Sequence, residues 1–536
     1  MMEIKSMALS NVNKVMQAYN HDEQFIHTFF DYRNENRSYL ERLTELSGRQ
    51  FLRKELSSVI RSFMEPFGIS KKASAHLEEL SENGVVVIGG QQAGILTGPL
   101  YSVHKAITVI LLAEEKRKEL GVPVIPVFWV AGEDHDLNEI NHVYTENSRG
   151  TLKHKYPEKF ILKVMASDAT YSEKEMTAFV EGIFRQFGET EHTRPLLEEV
   201  LTAVEKEETF TGFFVRLMNG LFHEQGLLFI DSAFKPLREI EKNHFTQFIS
   251  ESDKLAGLIV DKEGQFSALG FGKPIEAEKE AAHLFYVHET GRVLLSKTDG
   301  AFVNESTGIR FSYEEMLNIA AEKPWLLSNN VATRPIMQDL VFPVLAFVGG
   351  PGEIAYWALL KDAFHHFEIK MPIIVPRVSV TLVSKRAKQA MASTSLTLEE
   401  VLDRKIPEVR ERFIGSLQNE QFEKLVAEME KQLKEKYEEL REGSSTAMQQ
   451  VLEKNLKFHE KQLDYIRRKA EEELLIQHET ALRKYSILEN ELFPEGSLQE
   501  RIYTPYLFMN QYGPELVRDL LRQPIKMDGT HQIVYL

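Results

Sequence analysis

Three short segments of this chain, two of them glycine-rich, carry polar and ionisable side chains at spacings suited to anion chemistry. In Gly89-Gly-Gln-Gln-Ala-Gly-Ile-Leu-Thr-Gly-Pro-Leu-Tyr101, the glycines permit tight turns and close backbone approach. The segment opens a helix, whose first N–H groups attract phosphate or carboxylate. Gln91, Gln92, Thr97, Gly98, Tyr101, His104 and Lys105 are its candidate contacts. The spacing fits neither GxGxxG nor a Walker loop. The competing reading is a structural turn with His104 packed between helix and sheet. In Gly132-Glu-Asp-His-Asp136, Glu133, Asp134, His135 and Asp136 could hold Mg²⁺ or orient a nucleophilic amine. Asp134 or Asp136 could instead cap the next helix. Zinc is not expected, because His135 and His142 are seven residues apart and neither HExxH nor a cysteine is present. No other metal site is read from the sequence. The third segment, Gly349-Gly-Pro-Gly-Glu-Ile-Ala-Tyr356, offers Gly349, Gly350, Gly352, Glu353 and Tyr356 to the same crevice. Arg334, Arg377 and the run Ser384-Lys385-Arg386 are further anion candidates, although a short basic run is often plain surface.

These segments need a scaffold that aims them at one place. Gly84–Gly90, Pro123–Ala131, Gly226–Ser232, Val344–Gly350 and Pro372–Pro376 are hydrophobic runs rich in β-branched residues, the mark of strands buried on both faces of a parallel sheet. Ligands of such sheets bind beyond the carboxyl ends of the strands, where the glycine-rich segments fall. The strands are too far apart for short α/β connections, so one sheet interrupted by two inserted lobes is predicted. The expected organisation is 1–146, N-terminal helices and the first half of a Rossmann-type core, then 147–222, a first connecting insertion. Residues 223–245 return a core strand and helix, and 246–330 form a second, β-rich connecting insertion with short alternating strands across 250–325. Residues 331–390 complete the core, 391–492 form a coiled coil, and 493–536 are a tail packing on the core. In the coiled coil, Phe422, Val426, Met429, Leu433 and Leu440 approximate a heptad seam with Lys436 as a polar break, and it resumes after Gly443-Ser-Ser445 with Val451/Leu452, Leu456, Leu463, Ile466, Leu474 and Leu482. An antiparallel hairpin is predicted, and a seam of that length implies a homodimer through the coiled coil.

Bulk composition narrows the function. The 536 residues carry a formal charge of −16, which argues against a nucleic-acid partner held by bulk electrostatics. There is no cysteine, which excludes disulfides, thiolate nucleophiles and Cys-ligated zinc. No apolar run reaches the ~20 residues of a membrane span, and the first residues lack a basic-then-apolar signal pattern. A cytoplasmic enzyme without a membrane partner is expected.

Together, Gly89–Lys105, Pro126-Val-Phe-Trp-Val-Ala-Gly-Glu-Asp-His-Asp136, Phe347-Val-Gly-Gly-Pro-Gly-Glu-Ile-Ala-Tyr356 and Phe493–Arg501 resemble the cysteine ligases of bacillithiol biosynthesis, in order and across essentially the whole chain. The resemblance implies a ligase joining the carboxyl group of L-cysteine to the amine of glucosaminyl-malate. It implies a core similar to class I aminoacyl-tRNA synthetases, with Thr97–Lys105 in place of the HIGH element and Val383–Arg386 in place of KMSKS. It also implies ATP with Mg²⁺ as co-substrate, leaving as ADP or AMP. His104, Lys105 and Arg377 would then stabilise phosphate charge, with Ser384 and Lys385 beside the nucleotide. Asp134, His135 or Asp136 would bind an ammonium group or take the amine's proton. The nucleotide site is left open between the core crevice and a pocket near the coiled coil and Arg501–Tyr506. A non-catalytic nucleotide-binding or assembly protein on a degenerate core, and a nucleotidyltransferase for another amino acid, are the alternatives.

Overall fold

The computed structural model describes residues 2–9, 13–147, 150–157, 164–289 and 291–536. Two compact units divide it: residues 1–382 with 497–536, and residues 383–496.

The first unit is built on a five-stranded parallel sheet. Its spatial order is Ile373–Pro376, Val344–Gly349, Val85–Gln91, Val124–Val130, Leu228–Asp231. All five predicted strands are present, and nearly all their residues are buried, as β-branched runs covered on both faces must be. From the central strand Val85–Gln91 the chain builds outward to one edge, then crosses back to lay Val344–Gly349 on the other side. The strand order therefore reverses between Val85–Gln91 and Val344–Gly349, the place where an open α/β sheet leaves a crevice.

The opening helices are tied to the sheet by a buried charge cluster. Arg42, on the helix Asn36–Ser47, donates to the carbonyl of Val344 at 2.9 Å and to that of Lys370 at 2.8 Å, and pairs with Asp339. Arg49 reaches the other Asp339 oxygen at 2.6 Å. The first inserted stretch holds the hairpin His142–Asn147 with Gly150–Lys155 and the helices Glu173–Phe187, Thr193–Lys206 and Phe210–Phe222. The second opens with the helix Ser252–Ala268 where short strands were expected. Its sheet begins only at Ala281, ordered Ile309–Phe311, Ala301–Asn304, Gly291–Thr298, Ala281–His288, Leu327–Asn329. A three-stranded sheet joins the chain ends to the core: Glu3–Met7 pairs antiparallel with His531–Tyr535, which lies beside Ser379–Val383.

In the second unit, the helices Glu420–Arg441 and Thr446–Gln477 form the predicted antiparallel hairpin, turning at Gly443 with φ +83°. Arg467 bridges to Glu430 at 2.9 Å and Lys434 to Glu460 at 3.3 Å, while Tyr437 bonds Asn455. The seam differs from the predicted one. Val426 and Leu463 are buried, but Met429 and Leu440 are 55% and 56% exposed. A straight helix of 3.6 residues per turn carries the contact line from Val426 through Glu430, Leu433 and Tyr437, so polar interhelical bonds take the places expected for Met429 and Leu440.

Candidate active-site crevice

A crevice of about 370 Å³ opens at the carboxyl ends of the central strands. Its walls bring together side chains from all three segments: Gln91, Gln92, Tyr101 and Lys105 from the first, Asp134 from the second, Glu353 and Tyr356 from the third. Gly350 and Gly352 contribute backbone, and Arg334, Arg377 and Arg501 add three guanidinium groups. At Gly90 a Cβ would stand 2.5 Å from the Trp129 carbonyl oxygen, so the strand ends can close on each other only with glycine there.

Lys105 lies on the helix Leu100–Leu120, with its side chain only 1% exposed. Its ammonium donates to the Gly90 carbonyl at 2.6 Å and pairs with Glu353. Burial pulls the lysine below its usual range, against the pull of Glu353. Glu353 also accepts the N–H of Gly350 at 2.8 Å, capping its own helix. Arg334 bonds the Tyr356 hydroxyl, and burial pushes that phenol up to about 12. Asp134 accepts the Gln92 amide at 2.6 Å and the N–H of Asp136 at 3.1 Å; the same amide reaches Glu139 at 2.7 Å. The crevice thus joins a cationic side, capable of holding phosphate or carboxylate, to a carboxylate capable of holding an ammonium group.

Other candidates lie elsewhere. His104 is fully buried and absent from the crevice wall; its Nδ1 lies 2.8 Å from Glu500. It faces the turn Gln499–Arg501 that carries Glu500. Thr97 is buried in a left-handed conformation, φ +65°, beside Gly98, and lies off the crevice wall. Gly349 lines a neighbouring cavity that also reaches Arg377, Glu500 and Arg501. His135 packs against Phe285, with Arg292 of the β-rich sheet 3.5 Å from its Nδ1. Asp136 caps the short helix Leu137–Ile140 through the Asn138 N–H. Glu133 is buried, paired with Arg238 and accepting from Ser328 at 2.9 Å. Ser384 and Lys385 belong to the second unit, where Ser384 caps the helix Lys385–Thr394.

Glu500 was not among the residues singled out from the sequence. It accepts from both Arg377 terminal nitrogens at 2.9 and 2.7 Å, from Ser379 at 2.9 Å and from the Val380 N–H at 3.0 Å, besides meeting His104. Burial alone would raise this carboxyl, but Arg377 and the His104 hydrogen bond hold it well below the carboxylate range.

Residues 2–378 match the family described as "Bacillithiol biosynthesis BshC, N-terminal Rossmann-like domain", and residues 380–536 match "Bacillithiol biosynthesis BshC, C-terminal coiled-coil domain". A protein of Lysinibacillus sphaericus named "Putative cysteine ligase BshC" is 44% identical over 538 residues, covering all of both chains. Proteins of the same name from Bacillus velezensis and a Geobacillus species are 33% and 34% identical, again over the whole of both chains. With the Rossmann-like parallel sheet and the coiled coil both in place, this chain belongs to the BshC family of bacillithiol biosynthesis.

Proposed function

We propose that this chain is a ligase that joins L-cysteine, through its carboxyl group, to the amine of glucosaminyl-malate, after a nucleoside triphosphate has activated the carboxylate. The observation that carries the reading is the gathering of Lys105, Arg334, Arg377 and Arg501 with Asp134 in one crevice at the sheet's switch point. Family membership and the names of the relatives support the substrate and reaction class.

In the first step a carboxylate oxygen of cysteine attacks a phosphorus of the nucleotide, displacing pyrophosphate or the nucleoside diphosphate. Lys105 and the arginines hold the phosphate oxygens and stabilise the charge that develops on them. In the second, the substrate amine attacks the activated carbonyl carbon, and AMP or phosphate leaves. Asp134 orients the incoming amine and accepts the one proton it loses as the amide forms. Mg²⁺ would be held chiefly by the nucleotide phosphates and would neutralise part of their charge. We also assign the coiled coil a role in homodimerisation, supported by the apolar side chains exposed along its hairpin.

Purified protein incubated with cysteine, glucosaminyl-malate, ATP and Mg²⁺ should give the amide by mass spectrometry. AMP as the second product identifies an adenylate, and ADP an acyl phosphate. No amide, or amide formed equally well without nucleotide, would overturn the reading. Nucleotide bound without any turnover would favour a binding protein instead.

A further inference from the structure

We infer that Glu500 is a positioning residue of the crevice, holding the Arg377 guanidinium against its wall and compensating its charge. The inference rests on the crevice being the site of the phosphate-bearing substrate. Three observations meet at this carboxylate. It receives both terminal nitrogens of Arg377, at 2.9 and 2.7 Å, which fixes the plane of the guanidinium. It is itself pinned by Ser379, by the Val380 N–H and by His104. Ser379 is in turn 2.8 Å from Nδ1 of His531, whose Nε2 lies 2.8 Å from Thr381. Arg377 meanwhile lies with its guanidinium carbon 5.7 Å from the Tyr101 ring centre, and both residues line the crevice.

The arrangement has two consequences. An arginine clamped along one edge cannot swing to follow a bound anion, so it favours the geometry for which it is set. An arginine faced by a buried carboxylate also contributes little uncompensated charge, which leaves Arg334 and Arg501 as the stronger ground-state anion contacts. Glu500 therefore trades affinity for placement. The single turn Gln499–Arg501 that carries it also places Arg501 in the crevice wall.

The test is the variant Glu500→Gln in the full-length protein, with inorganic pyrophosphate binding measured by calorimetry and ligation followed by mass spectrometry. Freed of its counter-charge, Arg377 should bind pyrophosphate several-fold more tightly, and the gain should vanish when Arg377→Met is added. Ligation kcat should fall about tenfold or more, because a released guanidinium no longer meets the developing charge. A purely structural role would instead weaken pyrophosphate binding as the fold loosens. Unchanged or weaker binding, or an unchanged kcat, overturns the inference. Glu500→Asp, which keeps the charge but draws it back, is the second variant should the first not fold; it should lower kcat with a smaller gain in affinity, and failure of either overturns the inference. If wild-type protein forms no amide but pyrophosphate binding tightens as stated, the ligase reading falls and the role of Glu500 stands.

Discussion

The buried ammonium of Lys105 is ion-paired with Glu353, a residue 248 positions further along the chain and on the opposite side of the sheet's switch point. Because Glu353 also caps its own helix through Gly350, the pair fastens two glycine-rich turns together at the crevice floor. Lys105→Met removes the charge while keeping most of the bulk. Ligation should fall by about 100-fold or more, the scale seen when one preorganised charge-stabilising group is lost. A rate within twofold of wild type would remove Lys105 from the chemistry.

Asp134 and Asp136 lie two residues apart yet differ in role. Asp134 lines the crevice and holds Gln92, whereas Asp136 is exposed and caps a helix of one turn. Asp134→Asn should lower ligation by about 100-fold, the upper part of the range for losing a general base being larger still. Asp136→Asn should leave the rate near wild type, since asparagine caps a helix as well as aspartate does. Equal losses from both would contradict the division.

The core was legible because a strand covered on both faces demands a hydrophobic run, and Val85–Gln91 or Val124–Val130 admits few other readings. The strand-end turns were legible for a related reason: glycine where backbones close, as at Gly90, stands out in any sequence. What lay hidden was partnership across sequence distance. Glu500, between Gln499 and Arg501, resembles any surface glutamate, and only the fold shows it buried against Arg377 and His104. His104 and Lys105 both follow the glycine-rich loop, but adjacent residues on a helix point about 100° apart. Lys105 reaches the crevice and His104 the core. The coiled-coil seam failed where a heptad was imposed on helices that pack through Glu430 and Tyr437.

Asp339 is a test of how the opening helices are held. Its carboxylate is buried between Arg42 and Arg49, and Arg42 also ties down the Val344 carbonyl. Asp339→Ala removes the fully buried counter-ion of Arg42 and leaves it only the partly exposed Glu45, a change at the lower end of the roughly 3–5 kcal/mol that breaking a buried pair costs. Urea unfolding should show a loss of that order. A loss below about 1 kcal/mol, the scale of an exposed pair, would mean that water reaches Arg42 in solution.

The buried histidines pull stability down as the solution is made mildly acidic, against Asp231 and Glu241, whose carboxyls burial raises to about 6 and about 7 and which pull the other way. Burial lowers His531, His283 and His142 to about 4. Between that value and the ordinary histidine value of 6.5 the unfolded chain binds protons at these residues that the folded chain refuses, so their contribution to stability rises with pH across this window and is lost as pH falls through it. His531 and His283 each contribute a slope of up to about 1.4 kcal/mol per pH unit there, and the partly exposed His142, screened by solvent, contributes less. His531→Gln should flatten the curve measured between pH 6.5 and pH 4 by one group's share. An unaltered slope in that variant would show His531 to be solvated.

The hairpin of the second unit presents a further relationship between sequence period and surface. Leu425, Met429 and Leu440 are all more than half exposed, and at 100° per residue they fall within about 60° of one another on their helix. On the partner helix, Met448, Val451 and Phe458 are exposed too, Phe458 at 69%. Measured from the buried positions Val426 and Leu463, and allowing for the opposite direction of the second helix, both stripes turn to the same side of the hairpin. A two-helix apolar face of this kind is costly to leave in water and suits a second copy of itself. Light scattering should therefore give a dimer for wild type, and Leu425→Glu with Phe458→Glu should give a monomer whose helix content is unchanged. A dimer that survives both charges would place the contact elsewhere, and a monomeric wild type would leave the stripe without a homotypic partner.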